Sequence, residues 1–343
     1  MKEILAKLDD NKSFTYMAVT VLKSKLVSAS ILLLSSIIII RSLPKEEYGL
    51  YVLILVFFSF FDLLINFIDA SITRFIPSSG KRMQHQLVAT VLSIKVLLTF
   101  SVLLLFIFLY DFSTNALSIS PKNLVLYENL YLIISLSFVS KFILTAMLSL
   151  LNAYLLYDVL FRLTIFNSAV TLFIAVSVAY FEFNVWQYVL LTTIFSYIYA
   201  LVLIYTFYQQ RKLSFKLLHK SINFKTIKNI FKEKISFYSL PLLGVGLMAY
   251  VKNNLPNFIL GVMVSLETLA VYSIFKKLTD FLHKGQASFI QGLYPRLFKM
   301  VNSKNQAVVK LYYVGLAIRF AVFSALYFGY EVVLDVYNIQ QAK

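Results

Sequence analysis

The sequence predicts an all-α polytopic membrane protein, and three observations carry that prediction. Hydrophobic residues make up 59% of the 343, and charged residues only 14%, against about 45–50% and about 25% in a soluble domain. The apolar residues gather in runs of bilayer length, for which roughly 20 residues suffice. The runs also lack the strict alternation of barrel strands, so helices are left to close the backbone hydrogen bonds within each crossing.

Nine such runs follow one another, at about 16–40, 48–67, 86–110, 128–151, 161–181, 186–208, 237–262, 269–293 and 307–330. The segment before the first run is of mixed charge, with no small-residue cleavage site after it, so no removable signal peptide is expected. Glu46, Glu47 and Tyr48 set the turn between the first two runs. The seventh run contains Lys252 and the polar, proline-bearing stretch KNNLP (252–256), which reads as a broken helix.

The loops alternate in charge. Arg74, Lys81 and Arg82 join runs 2 and 3, and Arg296, Lys299 and Lys304 join runs 8 and 9. Between runs 6 and 7 stand Arg211, Lys212, Lys216, Lys220, Lys225, Lys228, Lys232 and Lys234 against Glu233. The intervening loops are neutral or acidic, which places the N-terminus in the cytoplasm and 335–343 outside. Tyr110, Tyr127, Tyr131, Tyr180, Trp186 and Tyr188 gather at the outer ends, as interfacial aromatics do. Phe224, Ile227, Ile230 and Phe231 recur at helical spacing among lysines, the pattern of an amphipathic elbow lying on the inner leaflet.

The stretch from 41 to 77 organises the chain: a polar hinge, a long apolar run and a second polar border. About 220 residues later the pattern returns, with LETLAVY (266–272) standing where KEEYGLY (45–51) stood. Tyr294-Pro295-Arg296 falls close to the place of Ile72-Thr73-Arg74. Runs 7, 8 and 9 then repeat runs 1, 2 and 3, so a first six-helix lobe (1–208), a basic linker or interfacial elbow (209–236) and a partial second lobe (237–343) are expected. On symmetry the second lobe is about three helices short.

The balance of 32 Lys+Arg against 16 Asp+Glu gives +16. Basic loops account for most of it, and the dispersal of these residues among apolar runs argues against nucleic acid as a partner. With no cysteine there is no disulfide framework, thiol nucleophile or Cys-held metal. His85, His219 and His283 lack ligand spacing, and no glycine-rich phosphate loop or Ser/His/Asp arrangement is visible, so no metal, cofactor or enzymatic activity is expected.

Three motifs carry a resemblance. SLPKEEYGLY (42–51) resembles the hinge after the first helix of polysaccharide-exporting flippases of the multidrug/oligosaccharidyl-lipid/polysaccharide exporter superfamily. ASITRFIP (70–77) resembles their border after helix 2, although the glycine that usually precedes it is replaced near Phe67, and SLPLL (239–243) resembles the opening of their helix 7. The resemblance implies two six-helix lobes forming a V around a central cavity. It further implies alternating access that moves a lipid-linked sugar across the bacterial inner membrane, with a polysaccharide polymerase or glycosyltransferases as partners.

Ionisable residues inside apolar runs are the candidate site, because a charge at the bilayer centre costs about 2.5–3.5 kcal/mol on insertion scales and is kept for a cavity or a partner. The candidate cavity cations are Lys25, Lys95, Lys141, Lys252, Lys276 and Arg319. Lys95 and Arg319 fall at nearly equivalent places in the two copies. Lys25, Lys276 and Lys277 lie near run ends and can also snorkel. The candidate ion-coupling acids are Asp62, Asp69 and Asp280, with interface, helix-end or salt-bridging roles as the plainer readings. Asp280 is one turn from Lys276, Lys277 and Lys284. Excess positive charge in a wet cleft suits a diphosphate better than a cationic drug. The expected function is flipping of a diphosphate-lipid-linked oligosaccharide for a surface polysaccharide such as O-antigen, capsule or exopolysaccharide. The alternatives are an ion-coupled small-molecule antiporter of the same fold, or a truncated non-transporting copy.

Overall fold

The structure is a computed structural model that describes residues 25–77, 79–117, 119–154, 156–210 and 224–280. Among the described residues there is no strand, and seven helical stretches are long and apolar enough to cross a membrane. The first is α1 (Lys25–Ser42). The second is α2 (Lys45–Asn66) followed by the short α3 (Asp69–Phe75). Then come α4 (Lys81–Ala116), α5 (Leu124–Ala153), α6 (Tyr157–Tyr180) and α7 (Val185–Gln209). The last runs from α8 (Phe224–Ile230) through a π-helical turn (Phe231–Ser236) into α9 (Phe237–Ile259) and a second π-helical turn (Leu260–Val264). After Ser265, α10 covers 266–280, the start of the eighth apolar run. The ninth run and Arg319 lie outside the described residues.

Among the described residues the first seven expected runs coincide with the observed crossings, and the helices run on past the apolar stretches. The 36 residues of α4 reach about 54 Å at 1.5 Å per residue, well beyond a hydrocarbon layer of about 30 Å. Its ends therefore carry Lys81, Arg82 and Asp111 into water. Between α6 and α7 the turn is set locally. Glu182 takes the left-handed conformation with φ 53°, and Phe183 N–H bonds back to the Val178 carbonyl at 3.1 Å, the six-residue closure of a Schellman motif. The Asn184 N–H then donates to Gln187 Oε1 at 2.9 Å, one arm of a capping box that opens α7.

By internal contacts the chain divides into a large unit, residues 34–274, and a second made of 1–33 with 275–343. In the large unit α5 packs along α7 and also meets α2, α3, α4 and α6. Phe58, Phe106, Phe138 and Tyr131 interlock near the middle, with ring centroids 4.5–6.3 Å apart. A second apolar cluster, including Ile72, Leu87, Leu150, Phe207 and Ile230, fills the basic end of the bundle.

α9 runs antiparallel along α2, and contacts mark the whole length of that seam. At the basic end Ser71 Oγ and Ser239 Oγ share a hydrogen bond of 2.6 Å. Midway, Tyr250 Oη donates to the Val56 carbonyl at 3.0 Å and its ring meets Phe60. At the far end the two related hinges touch: a Cβ added to Gly49 would run into the Leu266 carbonyl, and one added to Gly261 would meet Leu53 and Leu269. The repeated motifs KEEYGLY and LETLAVY are thus neighbours in space as well as relatives in sequence.

Two expectations need correction. The KNNLP stretch does not break its helix: α9 continues through both Pro241 and Pro256 to Ile259. Each proline removes one i→i−4 donor, but lipid supplies no competing partner for the rest of the ladder, so helix remains the cheapest state. The tyrosines also divide: Tyr180 is exposed, whereas Tyr127 and Tyr131 are buried. Tyr127 is bonded to Ser113 at 2.5 Å, and Tyr131 donates to the Phe106 carbonyl at 2.7 Å, so these two hold α4 to α5 and do not face lipid headgroups.

Gly49→Ala should lower stability by about 1–3 kcal/mol, the usual cost of overpacking. Gly244→Ala, where an added Cβ meets nothing within 4 Å, should be neutral or slightly stabilising. Thermal unfolding of the purified protein in detergent would measure both.

Candidate functional site

The site begins with an interruption in the second crossing. α2 ends at Asn66, two turn residues follow, and α3 starts at Asp69. Asp62, Asn66 and Asp69 are spaced i, i+4, i+7, so they share one helical face, and that face meets α4 and α5. Lys95 projects from α4 into the gap with no solvent exposure. Its ammonium donates to Asp69 Oδ2 at 2.6 Å, Thr145 Oγ1 at 2.7 Å and Asn66 Oδ1 at 3.2 Å. An ammonium has three donors, and three oxygens from α2, α3 and α5 receive them. Thr145 Oγ1 donates a hydrogen bond to Asn66 Oδ1 at 2.8 Å, which ties α5 to the end of α2. Asp69 Oδ1 is buried and makes no hydrogen bond among the described residues.

A second ion pair lies one turn away along α2 and α5. Lys141 Nζ meets Asp62 Oδ2 at 3.0 Å, with the two side chains about a third exposed (33% and 30%). The same ammonium stands 4.9 Å from the Phe138 ring, a cation–π contact. The two pairs make a polar ladder: Asp62–Lys141 on one rung, Asn66–Thr145–Lys95–Asp69 on the next. They differ in chemistry. Lys95 is sealed, and its charge can stand there only because Asp69 compensates it. Lys141 is only partly enclosed by the bundle.

The other described candidate cations stand on α1, α9 and α10. Lys25 begins the described part of α1 and is exposed. Lys252 is exposed on α9. Lys276 is partly buried on α10 and feels the charge of Asp280, one turn on. The structure therefore joins Lys95 with Asp69 and Lys141 with Asp62. Asn66 and Thr145 belong to the site although neither is ionisable. The Asp62/Asn66/Asp69 spacing was the signal that could have pointed to Asn66.

A bundle of seven membrane-length helices with compensated charges between them defines a multi-pass membrane protein. The comparison with protein families is specific: the model described as "polysaccharide biosynthesis protein" matches residues 38–341, and the chain belongs to that family, whose members are flippase-type proteins. The resemblance drawn from the hinge and border motifs holds at this level, and the chain takes part in polysaccharide biosynthesis. No protein of curated function and no solved structure matches the chain.

Removing one partner of the sealed pair should be severe. Asp69→Asn or Lys95→Met should each destabilise by about 3–5 kcal/mol, because a lone charge is left buried. The double variant should lose less than either single change. Lys141→Ala should cost less, below about 1 kcal/mol, since that pair is partly exposed. A double-mutant cycle by thermal unfolding checks these values, and additive losses would contradict the pairing.

Proposed function

We propose that the protein flips a polyprenyl-diphosphate-linked oligosaccharide across the bacterial inner membrane for a surface polysaccharide. The family match over residues 38–341 carries this reading, since a sugar assembled on a lipid inside the cell has to cross the membrane before it can be exported or polymerised. Two structural features support it. The chain carries related hinges that meet across the α2–α9 seam, as expected of an alternating-access protein built from repeats. Asp62 and Asp69, the acids a cation-coupled antiporter would draw on, already hold lysines, which favours an anionic cargo.

In this mechanism the N-terminus is cytoplasmic, residues 1–208 form one lobe, 237–343 contribute to the other, and 209–236 link them on the inner face. Lys141 meets the diphosphate first by exchanging Asp62 for a phosphate oxygen, a charge-assisted bond of the same kind. Lys25, Lys252, Lys276 and Arg319 supply further positive charge along the route. Lys95 and Asp69 keep the helices in place beneath it. Asp62, released from Lys141 while cargo is bound, is the acid best placed to take up a proton. A polysaccharide polymerase or glycosyltransferases would act on either side of the step.

The test is translocation of a fluorescent lipid-linked oligosaccharide in reconstituted vesicles, read with a membrane-impermeant quencher. Protein-dependent flipping is expected, with Lys141→Ala or Arg319→Ala slowing it by about tenfold, the equivalent of one lost phosphate contact. Vesicles in which the protein leaves the labelled lipid where it started would refute the reading.

A further inference from the structure

The basic end of the α2–α9 seam holds a cluster that the transport reading does not use. The Arg74 guanidinium at the end of α3 lies 4.7 Å from the Tyr238 ring centroid and 5.9 Å from that of Phe75. Lys234, from the π-helical turn before α9, lies 5.8 Å from the same Phe75 ring. Phe75 and Tyr238 pack edge to face at 5.8 Å. Two cations from segments 160 residues apart in sequence are thus gathered on one aromatic platform. Arg74 is exposed and Lys234 partly exposed, and among the described residues neither forms an ion pair with an acid.

The local structure holds this arrangement in place. In an α-helix, residues five apart point in different directions, but the wider π turn brings Ile230 and Ile235 to one buried face. That fixes the rotation of the turn and carries Lys234 to the Phe75 side. Stacking on Tyr238 fixes the plane of the guanidinium while leaving its in-plane donors available, the preferred arrangement for a phosphate. Lys81 and Arg82 open α4 close by, and α8, bearing Lys225 and Lys228, packs on α4. One acid, Glu233, stands in this segment and is exposed. Two like charges drawn together repel, and a bound anion would remove that repulsion.

We propose that Arg74 and Lys234 form a clamp for a lipid-borne phosphate that bridges α3 and the start of α9 and holds the seam closed at this end. The chemistry is a phosphate ester at a membrane surface, where basic side chains next to a membrane helix meet anionic headgroups. The clamp is built from both sides of the seam, so occupancy and closure are linked: an anion that touches both cations binds the closed form better and stabilises it.

The chain has no cysteine, so Ser71→Cys with Ser239→Cys reports closure directly through disulfide yield under mild oxidation. The full chain would be placed in nanodiscs of phosphatidylcholine alone, with about 30 mol % phosphatidylglycerol as an anionic surface, or with a polyprenyl diphosphate. Anionic lipid should raise the yield about fivefold, the effect of one added charge contact near the surface. Arg74→Gln with Lys234→Gln should abolish the rise while keeping the yield in phosphatidylcholine, which also shows that the variant folds. Lys225→Gln with Lys228→Gln, an equal loss of charge on α8, should keep the rise. Tyr238→Leu, which leaves both charges but removes the stacking, should weaken it. A response to phosphatidylglycerol assigns the clamp to bilayer lipid, and a response to the diphosphate alone assigns it to lipid of the cargo class. A yield indifferent to both, or an equal loss in the two charge variants, overturns the proposal. The outcome is independent of flipping activity.

Discussion

A lysine ammonium with no solvent contact inside a membrane bundle decides where the second crossing can stand. Lys95 needs a carboxylate and two further oxygens. Asn66 at the end of α2 and Asp69 at the start of α3 supply two of them, across joining residues that keep helical dihedrals, and Thr145 on α5 supplies the third and bonds Asn66. The ion pair with its two further oxygens is thus a clasp on neighbouring helices, and removing either charge would leave a costly lone charge there.

What the clasp fixes on one face of the second crossing it presents on the other. Two residues after Asp69, Ser71 meets Ser239 on α9. Further along, Phe60 and the Val56 carbonyl meet Tyr250. The second crossing is therefore shared: charged groups bind it to α4 and α5, and weaker neutral contacts bind it to α9. Neutral hydrogen bonds and aromatic edges contribute about 1 kcal/mol each, so this side of the crossing is the one that can part without unpairing a buried charge. That asymmetry is what an alternating-access protein requires of a helix at the boundary between its halves.

The crossings were legible because bilayer length and apolar composition leave helices almost no competitor, and the boundaries missed only the polar ends that stand in water. That 45–51 and 266–272 would meet in space, through Gly49 and Leu266, was not legible from their likeness alone. Lys95 and Asp69 could each be picked out as costly in lipid, and Asp69 does begin a helix. Their pairing could not be read, because it depends on how three helices are rotated. Thr145 carried no charge to flag it. Pro256 was misleading for a physical reason, since a proline rule drawn from water overstates how readily a helix breaks in lipid. Tyr127 and Tyr131 misled in the opposite direction, because the ring suited to a headgroup region suits a buried hydroxyl pair equally well.

The most direct measurement is the distance across each end of the α2–α9 seam as cargo binds. Spin labels on the cysteine-free chain at exposed Lys45 and Glu267 span the hinge end, and labels at exposed Thr73 and Phe237 span the basic end. With a lipid-linked oligosaccharide added to the reconstituted protein, electron–electron double resonance should show the two distances changing in opposite directions. Two distances that stay fixed, or that lengthen and shorten together, would contradict a transporter that works by parting its two copies at one end while closing them at the other.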